Sequence, residues 1–311
     1  MTPVQIYLPI AELPVNVLLI FVMGLAVGFI SGMFGIGGGF LMTPLLIFVG
    51  IAPAVAVASV TSHIAASSFT GAITYWRRRA LDPALALMLL VGGILGTSAG
   101  VWLFSLLRAI GQLDLTIGLS YLVLLGTVGS LMVAESVRAI IRARQGKPAE
   151  IRRGGSHTWI HGLPFKLRFK QSKIYVSTIP VWGIGFFIGF IGAVMGIGGG
   201  FLLVPMLIYL LRVPTSIVIG TSMMLTLVTM ALATIMHAAT NHLVDVVLAL
   251  ILMVGGVTGA QFGARAGQKI RSEQLRLLLG LLVLAVGLRF AFGLVVRPDE
   301  LFTLRSVEGV T

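Results

Sequence analysis

Two stretches of the chain carry the same unusual run of glycines. Gly35-Ile36-Gly37-Gly38-Gly39 is followed by Pro44, and Gly196-Ile197-Gly198-Gly199-Gly200 by Pro205. Three consecutive glycines break a helix and leave backbone N–H groups without intrahelical acceptors. A helix that restarts behind such a break offers its N-terminal amides and the positive end of its dipole, an arrangement that favours an anion. Tight helix crossings also call for small residues, so one such turn on its own signifies little. Its recurrence in register favours a binding site made of Gly35, Gly37, Gly38 and Gly39 from one turn and Gly196, Gly198, Gly199 and Gly200 from the other.

Hydroxyls follow each turn. Ser59, Thr61, Ser62 and His63 stand opposite Gly220-Thr221-Ser222-Met223-Met224, so Thr221 and Ser222 join the candidate substrate ligands. A hydroxyl can donate to a substrate oxygen without burying a charge, although in membrane helices it often bonds back to the preceding turn. His63 is paired with Met224 in this alignment. It is either a proton relay and anion ligand or a neutral, hydrogen-bonded core residue. His237 and His242 fall near a membrane surface and rank lower. Asp82, before Pro83, and Asp245 are expected to be helix caps. No apolar segment has an acidic residue near its centre, which argues against a cation pump. Nothing matches a nucleotide-binding loop, a metalloprotease motif or a nucleophile–base pair, so neither an enzyme nor a cofactor or metal is expected. The chain has no cysteine and hence no thiolate site.

These residues sit on elements built for lipid. The 311 residues are 57% hydrophobic and 10% charged, with a mean hydropathy of +1.05, where a soluble domain carries about 25% charged residues. The glycine turns belong to a duplication with an offset of 161 residues, running from Gly28 to Pro44 and from Gly189 to Pro205; Pro53 matches Pro214. After a two-residue slip, Asp82 matches Asp245, and Gly92-Gly93, Gly96 and Gly100 match Gly255-Gly256, Gly259 and Gly263. Glycines four apart are close-packing positions. Five apolar segments are expected in each copy, at 15–35, 38–50, 54–76, 83–107 and 113–138, then 176–196, 199–211, 214–238, 244–265 and 275–296. The second of each copy is too short to cross a core of about 30 Å alone. The first residues lack the basic stretch of a secretory signal, so the first segment is expected to be a retained span.

The fold class expected is an all-α polytopic membrane protein of two inverted five-segment repeats, each with a short broken helix after its glycine-rich turn. The first repeat covers 1–138, a basic cytoplasmic loop 139–175, and the second repeat 176–311. If all ten segments cross with the N-terminus outside, 18 of the 22 Lys and Arg lie inside, and only Arg108, Arg289, Arg297 and Arg305 lie outside. That asymmetry exceeds the 16 to 6 obtained with the short segments re-entrant, and follows the positive-inside rule. The net charge of +12 is thus explained by topology and not by nucleic acid. Phe165 to Lys170 and Ile174 to Val176 alternate as in a short hairpin; a basic tether against anionic headgroups accounts for them equally well.

The doubled Gly-x-Gly-Gly-Gly-x-x-x-x-Pro element and the glycine-rich fourth segments resemble the TauE/SafE family of sulfite and organosulfonate transporters, over about Val15 to Val296. The resemblance implies a multi-pass permease of the bacterial inner membrane for a small sulfur-containing oxyanion, often an exporter. The expectation is therefore a secondary transporter, with the anion cradled between the two turns and one repeat rocking against the other. It leaves room for proton coupling and for a homo-oligomer. Rival readings are an anion channel on the same scaffold and a membrane assembly partner that transports nothing.

Overall fold

The computed structural model describes residues 5–34, 38–144, 164–169, 171–172, 174–211, 213–266 and 272–295. A hairpin of β1 (Gln5–Leu8) and β2 (Leu13–Asn16) leads into α1 (Val17–Phe34), α2 (Gly39–Phe48), α3 (Pro53–Arg77), α4 (Pro83–Ala109) and α5 (Leu113–Arg144). A second hairpin, β3 (Lys166–Phe169) and β4 (Ile174–Ser177), leads into α6 (Thr178–Met195), α7 (Gly200–Tyr209), α8 (Thr215–Met236), α9 (Val246–Ala266) and α10 (Ser272–Val295). Every expected apolar segment is a helix. Among the described residues, five stretches are long and apolar enough to span a bilayer: Pro83–Ala109, Leu113–Arg138, Thr178–Met195, Ile217–Asn241 and Val246–Gly263. Large apolar side chains such as Leu18, Trp102, Leu119 and Phe262 face outward, as they must where lipid is the solvent. The protein is a multi-pass membrane protein.

Two boundaries differ from those expected. The fifth helix runs past the apolar segment expected to end at 138, with α5 continuing to Arg144; alanine and arginine sustain a helix after the apolar run has ended. The loop drawn at 139–175 contains the hairpin that was one of its two readings, with Lys166 opposite Ser177 and Phe169 opposite Ile174. Residues 145–163 of that loop lie outside the described residues. The N-terminal hairpin was not anticipated. Its register, Gln5 opposite Asn16 and Leu8 opposite Leu13, lies at the same offset of 161 from the second, so the hairpins belong to the duplicated unit. Each ends in a cap: Asn16 Oδ1 accepts from Leu18 N–H at 2.9 Å, and Ser177 Oγ from Ile179 N–H at 3.3 Å.

The two copies are interleaved. α1 packs along α9 and α6 along α4, in both cases running parallel, through the glycines expected to be packing positions. A methyl added at Gly28 would lie 2.7 Å from Gly256 Cα, and one at Gly96 would lie 2.8 Å from Phe186 Cα, so only hydrogen fits between the backbones. Two further pairs, α3 with α8 and α5 with α10, join equivalent helices and run antiparallel. Gly71 of α3 meets Met223 of α8, while Tyr75 lies against Gly220; in the outer pair Gly129 of α5 meets Leu284 of α10, while Met132 lies against Gly280.

Candidate functional site

The two short helices begin in left-handed backbone that favours glycine. Gly38, the residue before α2, has φ 55°; Gly199, before α7, has φ 68°; and Gly196 and Gly198 have φ 67° and 81°. Gly39 and Gly200 are then the first helical residues. Of the expected ligands, Gly35 and Gly37 lie outside the described residues. The two turns meet: a methyl on Gly39 would come 2.8 Å from the carbonyl oxygens of both Gly196 and Ile197. One residue further along, the equivalent Phe40 and Phe201 stack with centroids 4.5 Å apart at 13°, both buried. The N-termini of α2 and α7 therefore lie at a shared junction that two aromatic rings close. The first amides of any helix lack intrahelical acceptors, and here two such ends are brought together.

The second turn is held by side chains that the sequence did not single out. Tyr121 Oη donates to Met195 O at 2.6 Å, and Thr43 Oγ1 to Gly196 O at 3.3 Å. His237 is buried within the protein: its Nε2–H donates to Ala193 O at 3.2 Å, while Nδ1 accepts from the Asn241 amide at 3.2 Å. These groups satisfy carbonyls at the C-terminal end of α6, which a helix leaves open. None carries a local motif; only the fold brings them to the turn.

The hydroxyls are occupied within the protein. Thr61 donates to Ala58 O at 2.7 Å and lies 2.9 Å from Thr234 Oγ1 across the α3–α8 crossing. Ser62 and Ser222 bond back to Ser59 O at 2.6 Å and Ile219 O at 2.9 Å, the ordinary behaviour of such residues in membrane helices. Ser59 accepts from Asp245 N–H at 3.0 Å, and Thr221 from Asp82 N–H at 3.3 Å. His63 is fully buried. Its Nδ1–H donates to Leu252 O at 2.7 Å, its ring lies against Gly256, and Nε2 has no partner among the described residues. It thereby braces α3 to α9. Leu225, not Met224, occupies the corresponding place, packed on Gly93 as His63 is on Gly256. The slip between the copies has already begun by this point in the helix.

Asp82 and Asp245 are caps, as expected, but they also do something else. Asp82 Oδ1 accepts from Ala84 and Leu85 N–H at 3.1 and 3.2 Å. Its Oδ2 accepts from Ser172 N–H at 2.9 Å and Oγ at 2.7 Å, in the second hairpin. Asp245 Oδ1 accepts from Leu248 N–H at 3.1 Å, and its Oδ2 from Ile10 and Ala11 N–H at 2.9 and 3.4 Å, in the first hairpin. Each carboxylate thus holds the hairpin of the other copy.

Comparison with known proteins adds a family to this geometry. Residues 20–290 match the model for "Sulfite exporter TauE/SafE". A "Probable membrane transporter protein" of Xylella fastidiosa is 32% identical over 272 residues, 84% of this chain and 90% of the relative. The "Probable membrane transporter protein YunE" of Bacillus subtilis is 23% identical over 87% of this chain and 96% of its own length. A shorter stretch of 60 residues is 47% identical to "Sulfite exporter TauE/SafE family protein 1" of Arabidopsis thaliana, covering 19% of this chain and 13% of that protein. No solved structure matches.

Proposed function

We propose, from the premise that the chain belongs to the sulfite exporter TauE/SafE family, that it is a secondary transporter, exporting a small sulfur-containing oxyanion such as sulfite or an organosulfonate. The observation that carries this is the meeting of two left-handed glycine turns at the N-termini of α2 and α7. An oxyanion fits there because backbone amides and helix dipoles stabilise negative charge without a buried cation that would hold it too tightly to release. The anion lies between Gly38-Gly39 and Gly198-Gly199-Gly200. Phe40 and Phe201 separate to admit it. Thr43, whose Oγ1 lies against Gly196 of the second turn, is the hydroxyl that the geometry brings to the same junction.

Antiparallel packing of α3 on α8 and of α5 on α10 supports an inverted relation between the copies, since equivalent helices that pack across an axis in the membrane plane run in opposite directions. Inverted repeats with broken helices at mid-membrane suit alternating access, in which one site faces the two sides in turn.

Purified protein in liposomes tests the proposal. Labelled sulfite or sulfoacetate should exchange against unlabelled anion inside, a counterflow that a channel does not give. Gly199→Val should abolish it, because the backbone there has positive φ and the side chain would meet Ile188; Gly183→Ala, with open space around it, should not. Undiminished counterflow in a folded Gly199→Val protein would remove the site from the turns, and no flux of any oxyanion by the wild type would end the transport reading.

A further inference from the structure

The hydrogen bonds of the fold divide the molecule along a line that differs from the sequence repeat. Hairpin β1–β2 is bonded to Asp245, at the head of α9; Ser59 of α3 is bonded to the Asp245 amide, and His63 of α3 to Leu252 in the body of α9. α1 lies along α9 with glycine on glycine. In the other half, hairpin β3–β4 is bonded to Asp82 at the head of α4 through Ser172, and Thr221 of α8 to the Asp82 amide. At the far end of α4, Ser105 Oγ donates to Asn241 Oδ1 at 2.9 Å and Arg108 Nη1 to Asn241 O at 2.8 Å. The fourth helix of each copy is therefore fastened, at its head and along its length, to elements of the other.

We propose that the bodies that move in transport are crossed: β1, β2, α1, α2 and α3 with α9 form one, β3, β4, α6, α7 and α8 with α4 the other, and Asp82 and Asp245 are the positioning residues that hold the exchanged helices. This rests on the alternating-access reading above and says which parts alternate. Rocking one sequence copy against the other would sever every bond of the preceding paragraph and part backbones packed through glycine. Relative motion of the crossed bodies leaves all of those intact. It works against the α3–α8 crossing, where Gly71 meets Met223, Tyr75 meets Gly220 and Thr61 meets Thr234, and against Thr43 on Gly196 and the Phe40–Phe201 stack. The last two contacts lie at the glycine turns, so the seam between the crossed bodies runs through the proposed site, where an alternating gate must lie. Adjacent close-packed elements shift between discrete arrangements more readily than they deform, which places the motion at that seam.

The absence of cysteine from the sequence makes the test direct. Ser105→Cys with Asn241→Cys places a disulfide between α4 and the helical turn His237–Asn241 that follows α8, inside one crossed body but between the two sequence copies. In liposomes the oxidised protein should exchange sulfite within about twofold of its reduced form; loss of exchange on oxidation, restored by reductant, would overturn the crossed bodies. A second measurement does not need transport. Spin labels at Leu18 and Val246, on exposed faces of α1 and α9, should give one narrow distance distribution, and labels at Leu18 and Leu106, on α1 and α4, a broader one. The reverse order, or equal widths, would overturn the proposal. Wild-type protein that carries no oxyanion but shows the expected label distances would defeat the transport reading and leave the crossed bodies standing.

Discussion

Replacing Asp82 by alanine removes two functions at once, and their sizes can be worked from the structure. Oδ1 caps α4 through two amides, and loss of such a cap costs about 1 kcal/mol. Oδ2 takes the amide and hydroxyl of Ser172 at 2.9 and 2.7 Å, with both residues buried. Hydrogen bonds to a charged group contribute about 1.5–3 kcal/mol each, so the sum for Asp82→Ala is about 4–5 kcal/mol after allowing for partial rehydration. Ser172→Ala keeps the amide bond and loses only the hydroxyl, about 2 kcal/mol. Asp245→Ala falls between, because the bond from Ala11 is long at 3.4 Å. At about 2 °C per kcal/mol for a chain of this size, the apparent melting temperature in detergent, at one scan rate, should fall by about 8–10 °C for Asp82→Ala and about 4 °C for Ser172→Ala. The double variant should melt with Asp82→Ala alone, since both changes remove the same contact. Additive losses, or an Asp82→Ala protein that melts within about 2 °C of wild type, would refute the reasoning.

Other consequences follow from the packing. Gly28→Ala should destabilise by about 1–3 kcal/mol, because the added methyl would lie 2.7 Å from Gly256 Cα; Gly126→Ala, which meets nothing within 4 Å, should be neutral or slightly stabilising, and thermal melts of the two would separate them. His63→Phe keeps a ring against Gly256 but removes the side-chain donor to Leu252 O, so we expect a loss of about 0.5–1.5 kcal/mol with no change in the KM for sulfite. A KM raised tenfold would instead place His63 at the anion. Reporter fusions at both ends should report the outer side of the membrane, as the distribution of basic residues requires; an inner C-terminus would break the ten-crossing arrangement.

Much of this molecule is legible in its sequence because lipid makes local demands. Backbone polar groups must be satisfied within each span, so long apolar runs can only be helices, and all ten were visible from Pro14 to Val296. A helix cannot continue through Gly37-Gly38-Gly39 or Gly198-Gly199-Gly200, so the two breaks were visible as well, and their repetition exposed the duplication. The caps at Asp82 and Asp245 were visible for the same local reason. Partnership was not. Glycines at Gly28, Gly92, Gly96 and Gly256 mark surfaces where backbones come close, but a hydrogen atom carries no address, and only the assembled structure sets α1 against α9 and α6 against α4. Ser172, Thr43, Tyr121 and His237 find their roles in the same way, through carbonyls and carboxylates far away in sequence. For His63 the sequence left a ligand and a hydrogen-bonded core residue equally open, and only the assembled structure shows that its ring lies against α9 and bonds Leu252 O. The chain's own pattern determined where helices run and where they break, because those choices are settled within a few residues. Which helix holds which was decided only in three dimensions, where close approach selects among many equally apolar surfaces.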